Sequence, residues 1–203
     1  MEIRDTYKTI SLPYKEVLFK DKNSKFFGYA YHVSKEEDVK SFLETLKKQH
    51  HTARHWCYAY QIGVDNKTYR ANDDGEPKNS AGIPIFGQIQ SFKLTNILIV
   101  VVRYFGGTKL GISGLINAYK KTAQLVLTES KIVKKTLNLD YNIVFDYRNM
   151  NRVMRIIKER KLRIIKQTLE INCTIHIQVR KKDASSIYEV FSNLHEVAIK
   201  QIY

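Results

Sequence analysis

Two spacings of apolar residues take turns along the chain. Glu16 to Phe19 and Lys25 to Val33 read as strands, and Ser34-Lys35-Glu36-Glu37 reads as a capping box opening a helix. In that helix Val39, Phe42, Leu43 and Leu46 recur at the i, i+3, i+4, i+7 spacing of one face. From His55 to Ile62 the pattern switches to alternation: Trp56, Tyr58, Tyr60 and Ile62 point one way, which predicts a core face, and His55, Cys57, Ala59 and Gln61 point the other. Ile97 to Val102 is unbroken apolar sequence and predicts a strand buried on both sides. It feeds a glycine-rich turn, Phe105 to Gly114, and then a helix carrying Leu115, Ala118, Tyr119, Thr122, Leu125 and Val126.

Beyond this point the pattern is cleaner. Leu137, Leu139, Tyr141, Ile143 and Phe145 alternate with polar residues, and Met150, Val153, Met154 and Ile157 have helical spacing. Leu162 to Thr168 is a short strand, and Ile171, Cys173, Ile175, Ile177 and Val179 alternate again. Ala184, Ile187, Phe191 and Leu194 form a second helical stripe before a closing strand, Val197 to Ile202. The order βαββαβ predicts a ferredoxin-like sandwich with both helices on one sheet face. All nine glycines and all three prolines lie at or before Gly114, so composition changes at domain scale and predicts two domains, 1–130 and 131–203. The fold class expected is therefore α+β.

With 203 residues, 43% apolar and 27% charged, the chain is of the globular class. Its longest apolar run, Ile97 to Val102, is far below the roughly 20 residues of a spanning helix or the about 7 to 15 of a secretory segment, so no membrane association or export is expected. Cys57 and Cys173 allow one disulfide at most, and a reducing cytoplasmic location is the expectation. Thirty-four basic against twenty acidic residues leave a net charge of +14, with +8 in the last 73 residues and +6 in the first 130. That excess favours polyanions such as RNA or the ribosome, although drift in nucleotide composition toward Lys, Asn, Ile and Tyr produces a similar balance.

Four groups of residues could carry chemistry. Residues 71–84 crowd Asp73, Asp74 and Glu76 with Gly75 and Gly82 ahead of a helix: structured turn chemistry on one reading, general acid/base or Mg²⁺ chemistry on another. Arg103, Gly106, Gly107, Lys109, Gly111 and Gly114 follow the buried strand and precede a helix, the layout in which backbone N–H groups and the helix dipole hold an anion. Glycines needed only for tight packing are the alternative. Ile112-Ser113 replaces the Lys-Ser/Thr of a P-loop and no G-x-G-x-x-G occurs, which disfavours an ATP enzyme; no cofactor and no metal are expected. His55 and Cys57 share a strand face and could line the site, as a nucleophilic pair, with His50 or His51 in a metal site, or as ordinary packing. Arg152 and Arg155, opposite an apolar helical stripe, form either a solvated face or a phosphate-contacting patch. The exposed sheet face expected in the second domain, Asn138, Asp140, Asn142, Asn172, Thr174, His176, Gln178 and Arg180, lacks the aromatics on which RNA-recognition modules stack bases.

Asp73-Asp74-Gly75-Glu76-Pro77 with Ser80-Ala81-Gly82-x-Pro84, then Arg103-Tyr104-Phe105-Gly106-Gly107-x-Lys109-Leu110-Gly111 and Gly114-Leu115 leading to Ala118-Tyr119, resemble the two signatures of the YigZ/IMPACT family. Ala53-x-His55-x-Cys57-x-Ala59-Tyr60 is similar to a third string of that family, and together the motifs cover about residues 15–130. The resemblance implies a ribosomal protein S5 domain 2-like fold for the first domain and a small elongation-factor-like second domain. It also implies a link to translation, since the eukaryotic member regulates the amino-acid-starvation stress response through a ribosome-bound scaffold. Two positions depart from the pattern: Asn79 and Ser113 stand where glycine is common in the family. The expectation is thus a cytoplasmic translation-linked regulator that binds RNA or the ribosome, with a translation-factor protein as another possible partner. The alternative is an enzyme for a phosphorylated or acidic small molecule, with Asp73, Asp74 or Glu76 as acid/base.

Overall fold

The computed structural model describes residues 5–11, 16–65 and 67–202. It is a mixed α/β structure that divides into two compact units, Tyr7–Lys135 and the chain from Thr136 onward, which Asp5 and Thr6 join. The glycine and proline distribution placed this division at 130/131.

The larger unit is built on a five-stranded sheet in the order β2-β3-β6-β4-β5, comprising β2 (Val17–Asp21), β3 (Ser24–His32), β4 (His55–Ile62), β5 (Thr68–Asn72) and β6 (Ile97–Tyr104). Every adjacent pair is antiparallel. The apolar run explains the central place of β6, in which Ile97 through Val102 are fully buried. On one face α2 (Gly82–Ser91) and α3 (Gly111–Glu129) cover Phe26, Cys57, Ala59, Ile99 and Val101. On the other, α1 (Glu36–Gln49) packs Val39 and Leu46 against Tyr29, Tyr60, Leu98 and Val100. Both faces of β4 are therefore core, and Cys57 takes the packing place, one of its three readings. Covering layers on both sides make alternation a poor guide to exposure. A two-stranded sheet of β1 (Thr6–Ile10) and β7 (Ile132–Thr136) completes the inventory of this region.

The capping of α1 sits one residue later than the sequence pattern implies. Asp38, not Glu37, reaches back, its Oδ2 accepting from Ser34 N at 2.9 Å, Ser34 Oγ at 3.1 Å and Lys35 N at 3.2 Å. These bonds, the Ser34 amide first, hold the Asp38 carboxyl below its usual range.

In the second unit β8 (Asn138–Asp146), β9 (Arg163–Thr168), β10 (Asn172–Arg180) and β11 (Val197–Ile202) form an antiparallel sheet in the order β11-β8-β10-β9. Its odd-numbered positions, Tyr141, Ile143, Phe145, Cys173, Ile175 and Ile177, meet Val153 and Ile157 of α4 (Met150–Glu159) and Ile187 and Phe191 of α5 (Ala184–Ser192). Both helices therefore lie on one face, as the period-two pattern of β8 and β10 requires. Among the described residues no helix is long and apolar enough to cross a membrane.

Candidate functional site

Strand β6 ends at Tyr104, and residues 105–110 carry the chain into α3; the loop 73–81 carries it from β5 into α2. These two loops meet. Arg103 Nη1 donates to Glu76 Oε1 at 2.6 Å, with the two side chains only 7% and 4% exposed. The Tyr119 hydroxyl, from α3, donates to the same oxygen at 2.8 Å. The Arg103 guanidinium also lies 5.6 Å from the ring centroids of both Phe26 and Phe105.

Each carboxylate of the first loop has a structural task. Asp73 Oδ1 accepts from Ala81 N at 2.9 Å and Gly82 N at 2.8 Å, and Oδ2 from Asn79 N at 2.8 Å. It thereby caps the start of α2 from outside the helix. Asp74 Oδ2 accepts from Trp56 N at 2.7 Å, and its carbonyl accepts from His55 Nδ1 at 2.8 Å, which fixes the proton on that nitrogen. Asn79 adopts φ 62°, a left-handed conformation that asparagine tolerates, so the departure from glycine leaves this turn intact.

Cys57 is fully buried, its Sγ 2.9 Å from the Asp73 carbonyl oxygen and 3.2 Å from the Tyr119 hydroxyl. Burial pushes the Cys57 thiol well up, with the neighbouring carboxylates acting in the same direction, and pushes Tyr119 up likewise. A thiolate nucleophile is disfavoured in this setting. His50 is not beside His55: it bonds Tyr29 and Tyr104 among the residues of the α1 face.

The glycines of the second loop divide into two kinds. Gly106 is a packing residue: a Cβ there would lie 2.1 Å from Asn23 C and 2.2 Å from Ser24 N, and its amide already donates to Ser24 Oγ at 3.2 Å. Gly107 (φ 86°) and Gly111 (φ 73°) supply left-handed backbone, with open space where a Cβ would stand. Gly114 is half-buried in the first turns of α3, against Leu110. Gly111, Ile112 and Ser113 are exposed, and no side chain caps α3. A cleft of about 340 Å³ opens here, with Glu76, Arg103 and Lys109 as its charged lining and Phe105, Leu110, Ile112 and Leu115 among its apolar walls. Of the two cations expected to stand open, Lys109 is exposed, whereas Arg103 is buried and paired.

Arg152 and Arg155 belong to the other unit, exposed on α4. Arg155 Nε lies 3.7 Å from Glu159 Oε1 in an exposed pair one helical turn apart, and Arg152 Nη1 lies 3.5 Å from Asn149 Oδ1.

The Impact N-terminal domain model matches residues 22–127, the segment that contains both loops. The chain belongs to the IMPACT family. It is 32% identical over 171 residues to the IMPACT family member YvyE of Bacillus subtilis, spanning 84% of this chain and 79% of that protein. To an IMPACT family member of Haemophilus influenzae it is 34% identical over 178 residues, 84% of this chain and 85% of the relative. The crystal structure of a hypothetical protein covers 99% of each chain at 23% identity with a TM-score of 0.71, and so shares the fold.

Within this IMPACT-family framework, two residues of the second signature have roles that the sequence does not reveal. Tyr119 reads as one more core position of a helical stripe, and nothing in its spacing announces a hydroxyl bonded to Glu76. Phe105 reads as part of a turn, yet it remains 52% exposed beside the cleft.

Proposed function

We propose that this chain is a cytoplasmic, non-catalytic, translation-linked regulatory protein that binds RNA or the ribosome through phosphate held at the start of α3. One observation carries the reading. The amides that open α2 are taken by Asp73, while no side chain caps the start of α3, where Gly111, Ile112 and Ser113 are exposed residues beside Lys109 on a cleft. The dipole of a 19-residue helix and a lysine then favour the same negative charge. Gly107 and Gly111 shape the loop for this approach, Gly106 and Gly114 pack it, and Arg103 contributes from the floor. Arg152 and Arg155 add attraction that is independent of sequence, and the +14 charge steers polyanions toward the whole molecule.

The link to translation rests on the family resemblance. The larger unit is read as a ribosomal protein S5 domain 2-like fold, and the smaller as ferredoxin-like, supported by its β11-β8-β10-β9 order with both helices on one face. A catalytic reading would need an acid or base among Asp73, Asp74 and Glu76, and all three already accept hydrogen bonds from fixed donors.

The test is binding of fluorescein-labelled ribosomal RNA fragments as a function of salt. The logarithm of affinity should fall linearly with the logarithm of salt concentration, and Lys109→Ala should weaken binding and reduce the slope by about 0.7 to 0.9. Salt-insensitive or absent binding overturns the reading. So does ribosome association that survives nuclease digestion unchanged, which would mark a protein partner instead.

A further inference from the structure

We infer that the cleft takes one unstacked nucleotide of single-stranded RNA, its base laid on Phe105 and its phosphate at Lys109 and the first amides of α3. The inference rests on the phosphate reading above and adds the form of RNA and the contact that selects it. Phe105, 52% exposed as a residue, lines the cleft and makes an exposed apolar patch there rather than an isolated apolar side chain. Its position is held from within by the Arg103 guanidinium, 5.6 Å from the ring centroid. Ile112, 60% exposed, supplies a second apolar wall of the same cleft.

The charges are arranged for one anion. Glu76 is neutralised by Arg103, whereas Lys109 has no ion pair among the described residues and stands beside the uncapped helix start. Arg103 itself is more than nine-tenths buried, and its Nε has no hydrogen-bond partner among the described residues, so the cleft floor holds more donor capacity than Glu76 uses. At about 340 Å³ the cleft is at the small end of ligand pockets, of a size for a base and its sugar rather than for a helix. In a duplex the base faces are stacked inside and cannot reach Phe105; in a single strand they can. Of the charged side chains that line the cleft, Glu76 and Arg103 are committed to each other and Lys109 to the phosphate, which leaves none to read a base edge, so binding should be tolerant of sequence.

The experiment compares a short fluorescein-labelled oligouridylate with an RNA duplex of equal length, using fluorescence anisotropy on the full chain. Phe105→Leu keeps the apolar bulk and removes the π face; it should weaken single-strand binding about tenfold and leave duplex binding unchanged. Lys109→Ala should lower the single-strand salt slope by about 0.7. A 2-aminopurine placed in the oligonucleotide should be quenched by the parent protein and less so by Phe105→Leu, which reads stacking directly. Unchanged single-strand affinity in Phe105→Leu, or an equal loss on the duplex, overturns the stacking site while leaving the phosphate reading standing. Absence of salt-dependent binding to either RNA overturns both.

Discussion

Arg103 Nη1 and Glu76 Oε1 meet at 2.6 Å across 27 residues of sequence, inside a fold that leaves both side chains less than one-tenth exposed. The pair clamps the two motif loops together, and Tyr119 adds a third element to the clamp. Two charges taken out of water are tolerated only as partners, so removing one strands the other. Glu76→Gln and Arg103→Met should each destabilise the protein by about 3 to 5 kcal/mol in urea unfolding, and the double variant Glu76→Gln, Arg103→Met by clearly less than the sum of these two singles. An additive pair of losses would show that the contact carries no coupling. Loss of RNA binding in an Arg103 variant therefore reports on the clamp before it reports on any anion.

Gly106 and Gly107 are adjacent and should respond to the same substitution for different reasons. In Gly106→Ala the new methyl would meet the backbone of Asn23 and Ser24 at about 2.1 to 2.4 Å, and backbone cannot swing aside. In Gly107→Ala the space is open and the cost is the left-handed φ alone, about 1 to 2 kcal/mol. Thermal unfolding should rank Gly106→Ala as the more damaging, at about 3 kcal/mol or beyond, and the reverse ranking would contradict the packing role.

This contrast marks how far the sequence could be read. The Ile97 to Val102 run and the alternating Leu139 to Phe145 and Cys173 to Val179 segments reveal their strands because burial is written directly into residue type. Strand β5 is not legible in that way: as a sheet edge with Thr68, Tyr69 and Arg70 exposed, it has no face whose polarity must alternate. Within the loops, glycine announces unusual backbone but not its cause, so Gly106 and Gly107 look alike until the Asn23–Ser24 turn is in place. Arg103 reads as a cation for ligands because its partner Glu76 is remote in sequence. Within the larger unit, Gly107, Lys109 and Gly111 are the residues of the expected anion site that stay exposed.

Asp73 supplies the capping that α2 lacks from its own N-cap residue, Ala81. Asp73→Ala should cost about 1 to 2 kcal/mol, typical of losing a cap acceptor, and should loosen the 73–81 loop to proteolysis. Asp73→Asn keeps one acceptor oxygen and should fall between parent and alanine variant. If Asp73→Ala left stability unchanged, the cap would be dispensable and the carboxylate available for other chemistry.

His50 provides a pH dependence whose sign the geometry fixes. Its ring bonds the hydroxyls of Tyr29 and Tyr104 and stacks near Phe27, and burial holds its proton affinity below the ordinary value of 6.5; Glu16, 4.0 Å away and half-exposed, pulls the other way and is outweighed. His32 is shifted in the same direction, by burial and then by Lys135. Because the folded state binds these protons less tightly than the unfolded chain, stability is fully present above the ordinary histidine range. It is lost progressively as pH falls below about 6.5. The urea midpoint should therefore decline between about pH 7 and pH 5, ahead of the carboxylate transitions at lower pH. His50→Gln removes two hydrogen bonds and lowers the midpoint overall, but the curve against pH should flatten, keeping only the part due to His32. A slope unaltered by His50→Gln would mean that the ring takes up its proton as readily in the folded protein as in the unfolded chain, and that Glu16 offsets the burial in full.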